Sequence, residues 1–154
     1  MSSAFRAKSF SYRSAVEWVA EKRGRLTATG LPPLEVATPP EFKGHPGLWS
    51  PEHLLVCAVN ACIMTTFLAI AERHNVSFLS YESKVEGKVE MVERKFMFSR
   101  IEVFPTIVVA DEHMAAGVRR AIDGAHRRCL ISLSLKSEVI VHPEVLIEDE
   151  STPG

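Results

Sequence analysis

The sequence predicts an α+β domain with the element order β-β-β-α-β-β-α-β, and three observations carry that expectation. From Leu54 to Ala71 no side chain is charged and apolar residues fall on every face of the implied helix, so other chain or lipid must enclose it. On both sides of this stretch apolar residues recur at every second position, the period of half-buried strands. A second stripe, Met114, Val118, Ala121, Ile122, Ala125 and Cys129, advances mainly by threes and fours and marks an amphipathic helix. Strands grouped before and after helices indicate α+β rather than alternating α/β.

Taken in order, residues 1–8 read as a flexible N-terminus, residues 9–147 as a single domain and the acidic residues 148–154 as a disordered tail. Phe10, Tyr12, Val16 and Trp18 share one face of a first strand, Ser9 to Ala20. EKRG turns the chain into a second strand, Arg25 to Thr29, and Gly30, Pro32 and Pro33 turn it again into Leu34 to Thr38. A Pro- and Gly-rich loop holding Phe42 and Trp49 delivers it to the central helix. That helix has Ser50 as N-cap, Pro51 at its first position and Glu52 at the positive end of its dipole.

Asn75 is the expected stop. Phe78–Met91 and Phe96–Val109 then form a long hairpin around Glu93, Arg94 and Lys95, with Pro105 marking an edge or a bulge. Asp111 caps the second helix, whose Arg119, Arg120, Arg127 and Arg128 lie off the apolar stripe. A last strand, Glu138 to Ile147, closes the sheet.

Composition narrows the function classes. A chain of 154 residues is long enough to bury a real core. Its 18 basic and 19 acidic residues are interspersed, which leaves no electrostatic footprint for nucleic acid. The central stretch is interrupted by Asn60, Thr65 and Thr66 and has no basic cluster on one flank, so a buried core helix is expected rather than a membrane span. The first residues lack the apolar run of a signal peptide, and three cysteines are too few for a disulfide framework; a cytoplasmic setting is the expectation.

Cys62 sits near the middle of the central helix and Cys129 on the stripe of the second, so packing the two helices together could bring the sulfurs near each other. Ordinary buried thiols would read the same way. A reactive thiol needs its thiolate stabilised, whereas apolar burial raises its pKa, so a nearby cation is expected to compensate. Arg23 and Arg25 are candidates, as are Arg127 and Arg128, and Glu52 could hold such an arginine in a bidentate pair. Cys57, on another face of the helix, reads as packing. Glu52 and Cys62 are ten residues apart, about 15 Å along a helix. One arginine touching both would therefore require a broken helix or two subunits, which favours a site at a dimer interface. His53 with Cys57, His113 and His126 show no close-spaced ligand pairs, so no metal is expected, and no phosphate loop or nucleophile elbow implies a cofactor.

The segment SPEHLLVCAVNACIMTTFLA resembles the hallmark of the OsmC/Ohr family of peroxide-reducing proteins, in which a Pro-Glu start leads after ten residues to the peroxidatic cysteine. GAHRRCLISLSLK is similar to the second hallmark, a helix ending in Ala-x-x-x-Cys. The resemblance covers residues 10 to 147. It implies an intertwined homodimer with two active sites at the subunit interface, Cys62 as peroxidatic thiol, Cys129 as resolving thiol and Glu52 as the carboxylate that orients an arginine. EKRGR resembles the family's N-terminal turn and points to Arg23, with Arg25 second. The family's second cysteine is commonly followed by proline; here Leu130 follows.

The implied activity is reduction of an organic hydroperoxide to an alcohol through a Cys62 sulfenate and a Cys62–Cys129 disulfide, restored by an external dithiol, which in some relatives is a lipoyl group. The alternative is a non-catalytic small-molecule-binding or redox-sensing protein on the same fold.

Overall fold

The protein is described from a computed structural model covering residues 7–148. Apart from residues 7, 8 and 148, the expected flexible N-terminus and acidic tail lie outside the described residues. Backbone contacts divide the chain into two compact units, Met1–His53 and Leu54–Gly154.

The first unit is a three-stranded antiparallel sheet of β1 (Ala15–Ala20), β2 (Arg23–Thr27) and β3 (Leu34–Ala37), in that order. β1 starts six residues later than its alternation predicts because Ala15 already faces Thr27, the last residue of β2, and earlier residues have no strand opposite them. Its period is that of a strand, but the expected half-burial is absent: Val16 is 68% and Trp18 75% exposed. β2 starts two residues earlier than expected because the turn needs only Glu21 and Lys22. Glu21 takes a left-handed φ of 53°, and its carbonyl accepts from Trp18 Nε1 at 2.9 Å.

β3 pairs with β2 on one side, and on the other its Ala37 N–H donates to the Trp49 carbonyl at 2.8 Å. The Pro- and Gly-rich loop is thus pinned at its end, immediately before the helix. Ser50 is 1% exposed and acts as the N-cap: its Oγ accepts the His53 N–H at 3.2 Å and lies 2.7 Å from His53 Nδ1.

Helix α1 runs Pro51–Arg73, and from Leu54 onward it belongs to the second unit. Asn75 adopts φ 53° and the Val76 N–H closes back onto the Ala71 carbonyl at 2.8 Å, a left-handed C-terminal stop. By length and composition α1 could cross a membrane. Its Val59, Ile63, Phe67 and Ala71, however, are buried in a protein core with Ile101, Val103, Ile107 and Val109. Spacing by fours places one face of the helix on the sheet.

That sheet is built on the hairpin of β4 (Ser80–Val92) and β5 (Lys95–Val109), whose two-residue turn places Glu93 and Arg94 at φ 49° and 69°. Positive φ at both positions matches the twist of the flanking strands. Gly87 in β4 lets α1 approach: an added Cβ would stand 2.6 Å from Val56 Cγ1 and 2.7 Å from the Phe98 ring.

The expected last strand is two, β6 (Glu138–Val141) and β7 (Glu144–Ile147), both parallel to β5. β6 pairs with residues 100–103 and β7 with residues 106–109, and the gap falls at Pro105. A proline has no N–H to offer a neighbour, so the interruption leaves no donor of residue 105 unpaired. Helix α2 spans Glu112–Arg128, capped by Asp111 Oδ1 accepting from the Met114 N–H at 3.0 Å. A further short helix, α3 (Leu130–Leu133), was not expected, since four residues are too few to show a helical period.

Candidate functional site

The second unit brings Cys62 and Cys129 together. Cys62 is partly buried in the middle of α1, with Thr66 Oγ1 on the next turn 3.9 Å from its sulfur. Cys129 is fully buried where α2 ends and α3 begins, its extended φ and ψ of −62° and 109° separating the two helices. Both thiols are free, and each lies within hydrogen-bonding reach of the other.

The surroundings drive the two thiols apart. Burial pushes Cys62 up, but the Ile131 N–H, the Cys129 thiol, the Thr66 hydroxyl and the Leu130 N–H together more than offset it, so its pKa lies below that of an ordinary thiol. Burial likewise pushes Cys129 up; Ser132 moderates the rise and neighbouring Cys62 adds to it, so Cys129 lies above the ordinary value. Two like groups with divided acidities can take different roles: one is poised as thiolate, the other held as thiol.

Within this unit the lowering of Cys62 comes from neutral donors, two of them backbone N–H groups at the start of α3. Sequence reasoning missed Leu130 and Ile131 in this role because a backbone donor has no residue signature. The one available signal was Leu130 itself, which carries an N–H where proline would have none. Arg127 is an exposed partner of Asp123 at 3.1 Å, an i, i+4 pair on the surface of α2. Cys57 is half-buried and free, as a packing residue would be.

Arg23 and Glu52 belong to the first unit, and the strand register separates Arg23 from Arg25. Arg25 is exposed and its Nη2 lies 3.6 Å from Glu35 Oε1, an ordinary surface ion pair. Arg23 is partly buried, and its Nε is enclosed without any hydrogen-bond partner among the described residues. Glu52 Oε2 is enclosed and unpartnered in the same way. Arg23 is registered opposite Ala37, whose N–H meets the Trp49 carbonyl, so two strand spacings of about 5 Å each separate the Arg23 and Trp49 backbones. Glu52 follows three residues later. A buried donor and a buried acceptor left unpaired in a native structure call for an explanation.

Among the described residues no group of three or more His, Cys, Asp or Glu converges as metal ligands, and His126 Nε2 is engaged by the Val139 carbonyl at 2.9 Å.

A family model described as OsmC-like protein matches residues 44–144. An OsmC-like protein from Vibrio cholerae is 18% identical with a TM-score of 0.79, covering 88% of this chain and 99% of that one. An organic hydroperoxide resistance protein OsmC from Legionella pneumophila is 20% identical with a TM-score of 0.71, over 92% and 100% of the two chains. An organic hydroperoxide resistance protein from Elizabethkingia anophelis is 16% identical with a TM-score of 0.72, over 92% and 99%. A search of curated proteins finds no match. At these identities the solved structures show a shared fold, and a family match over more than half its length shows that the chain belongs to the OsmC-like family.

Proposed function

We propose that the protein is a thiol-dependent peroxidase that reduces organic hydroperoxides to alcohols. The observation that carries this reading is the contact between two free thiols with divided acidities. The Cys62 thiolate attacks the distal oxygen of the hydroperoxide, forming an S–O bond as the O–O bond breaks. The alkoxide takes a proton and leaves as the alcohol, and Cys62 becomes a sulfenic acid. The Cys129 sulfur then displaces the sulfenic oxygen as water, and the resulting disulfide is reduced by exchange with an external dithiol. The lowered pKa of Cys62 suits the attacking role, and the raised pKa of Cys129 keeps it protonated until the sulfenic acid has formed.

Arg23 and Glu52 are assigned to the thiolate as cation and orienting carboxylate. Their enclosed, unpartnered Nε and Oε2 support that assignment over Arg25, which is spent on Glu35. The protein works as a homodimer in the cytoplasm, where reducing conditions keep the thiols ready.

The test is to titrate reduced protein with cumene hydroperoxide and with hydrogen peroxide, counting free thiols and reading intact mass at each step. Two thiols should disappear as one intramolecular disulfide, faster with the organic peroxide. Cys62→Ser should abolish turnover, and Cys129→Ser should halt the reaction at the sulfenate or beyond. Full activity in Cys62→Ser would refute the assignment. Slow, unselective oxidation of the wild type would favour a binding or sensing protein on this fold.

A further inference from the structure

A groove of about 400 Å³ lies in the second unit, lined by residues of α1 and α2 and of the connection after α1, and the thiol chemistry does not use it. Ile70 on its wall is eight residues beyond Cys62, about 12 Å along α1, which separates the groove from the Cys62 sulfur. Two glycines keep it open. An added Cβ at Gly117 would stand 3.3 Å from Val76 Cγ2, and one at Gly124 would stand 3.2 Å from Ile70 Cδ1. The wall beneath is apolar, while the polar lining is basic throughout: His74, Arg120, Arg127 and Arg128. No carboxylate lines the groove.

A plain role accounts for part of this set. Arg127 and Arg128 occupy the last turn of α2, where cations offset the helix dipole, and Arg127 also pairs with Asp123. Neither reason reaches Arg120. It stands mid-helix and joins no ion pair among the described residues, whereas its neighbour Arg119 is paired with Glu112 at 3.5 Å. Arg120, Gly124, Arg127 and Arg128 fall at i, i+4, i+7 and i+8, so the arginines flank the opening that Gly124 leaves. Arg127 has its counter-charge in Asp123, but the guanidinium groups of Arg120 and Arg128 face a hollow that no carboxylate lines, and a dianion relieves their repulsion better than a monoanion. The guanidinium fork also matches the oxygen geometry of a phosphate.

We propose that this groove binds a small phosphate monoester, its phosphate held by Arg120 and Arg128 and its apolar body against Ile70 and Val76. The proposal is independent of the peroxidase reading, because binding is measured on reduced protein without peroxide. The experiment is calorimetric titration of the full chain in low-salt, phosphate-free buffer with phenyl phosphate, inorganic phosphate and benzoate. Phenyl phosphate should saturate at one per chain, with inorganic phosphate and benzoate each at least about tenfold weaker. Arg120→Gln should weaken phenyl phosphate by about tenfold or more, while Arg119→Gln, an equal loss of charge one residue away, should stay within about twofold. Unchanged melting temperatures should accompany both variants, since both side chains are exposed. No saturation, equal losses in the two variants, or benzoate or inorganic phosphate binding as tightly as phenyl phosphate would overturn the proposal.

Discussion

At the scale of single residues, the chemistry rests on what surrounds two sulfur atoms. Cys62 has a depressed pKa, so its thiolate persists as pH falls and is lost only when pH drops through that depressed value. Alkylation of reduced protein by iodoacetamide, followed by mass spectrometry, should therefore show Cys62 reacting with a midpoint below the unperturbed thiol value of 9.0. Cys129, with its pKa raised, should react only above that value. Leu130→Pro separates the contributions. It removes one N–H near the Cys62 sulfur at the first position of α3, where proline is tolerated, and Leu130 is 65% exposed, so the fold should survive. The Cys62 midpoint should move upward and its alkylation rate at neutral pH should fall by about two- to fivefold, the scale of one modest hydrogen bond. An unmoved midpoint would mean that the Leu130 N–H does not support the thiolate. The cysteines were legible because each sits in a residue motif. Arg23 could not be told from Arg25 in the sequence, because only the register with β3 gives Arg25 its Glu35 partner and leaves Arg23 Nε enclosed.

At the scale of elements, Asn60 shows how a polar interruption fixes an otherwise slippery helix. On α1 it is surrounded by apolar residues, and it meets β4 twice: Nδ2 donates to the Ser83 carbonyl at 3.3 Å, and Ser83 Oγ donates to Asn60 Oδ1 at 2.6 Å. Apolar contacts alone would set the distance between α1 and the sheet but not its register, since they carry no direction. Asn60→Ala would leave the Ser83 hydroxyl partly buried without its partner, at a cost of about 1–3 kcal/mol. Urea unfolding should read this loss, and Ser83→Ala combined with it should add much less than its own separate effect. A loss within about 0.5 kcal/mol would show the pair to be incidental. The elements themselves were largely legible: helix limits followed from Ser50, Asn75 and Asp111, whose side chains or backbone make the caps the sequence implies. The split between β6 and β7 was legible too, in His142, Pro143 and Glu144, which interrupt the apolar residues between Val139 and Ile147, and a single-strand reading passed over it; in the sheet the break falls beside Pro105 of β5.

At the scale of the whole molecule, each unit keeps apolar surface uncovered. In the first, Val16 and Trp18 project from β1. In the second, α1 is apolar on all faces, yet Ala61, Thr65, Leu68 and Ala69 remain exposed along one side, with Leu68 at 39%. A helix of this composition accounts for itself only when that side is covered too, which favours association of two copies. If association also completes the site, Arg23 of one copy serves Cys62 of the other. Mixing separates this from a site built within one chain. Cys62→Ser and Arg23→Ala should each be inactive alone. After unfolding and refolding together, random pairing makes half of the dimers mixed, each with one intact site of two, so activity should return to about a quarter of wild type. A site within one chain is intact in neither subunit of a mixed dimer, and the mixture would stay inactive. Leu68→Glu should loosen the dimer in sedimentation velocity and reduce activity in step with the loss of dimer, because a carboxylate on the covered side of α1 would be buried without a partner. A fully active monomer would remove the shared-site model and leave the thiol pair to work within a single chain.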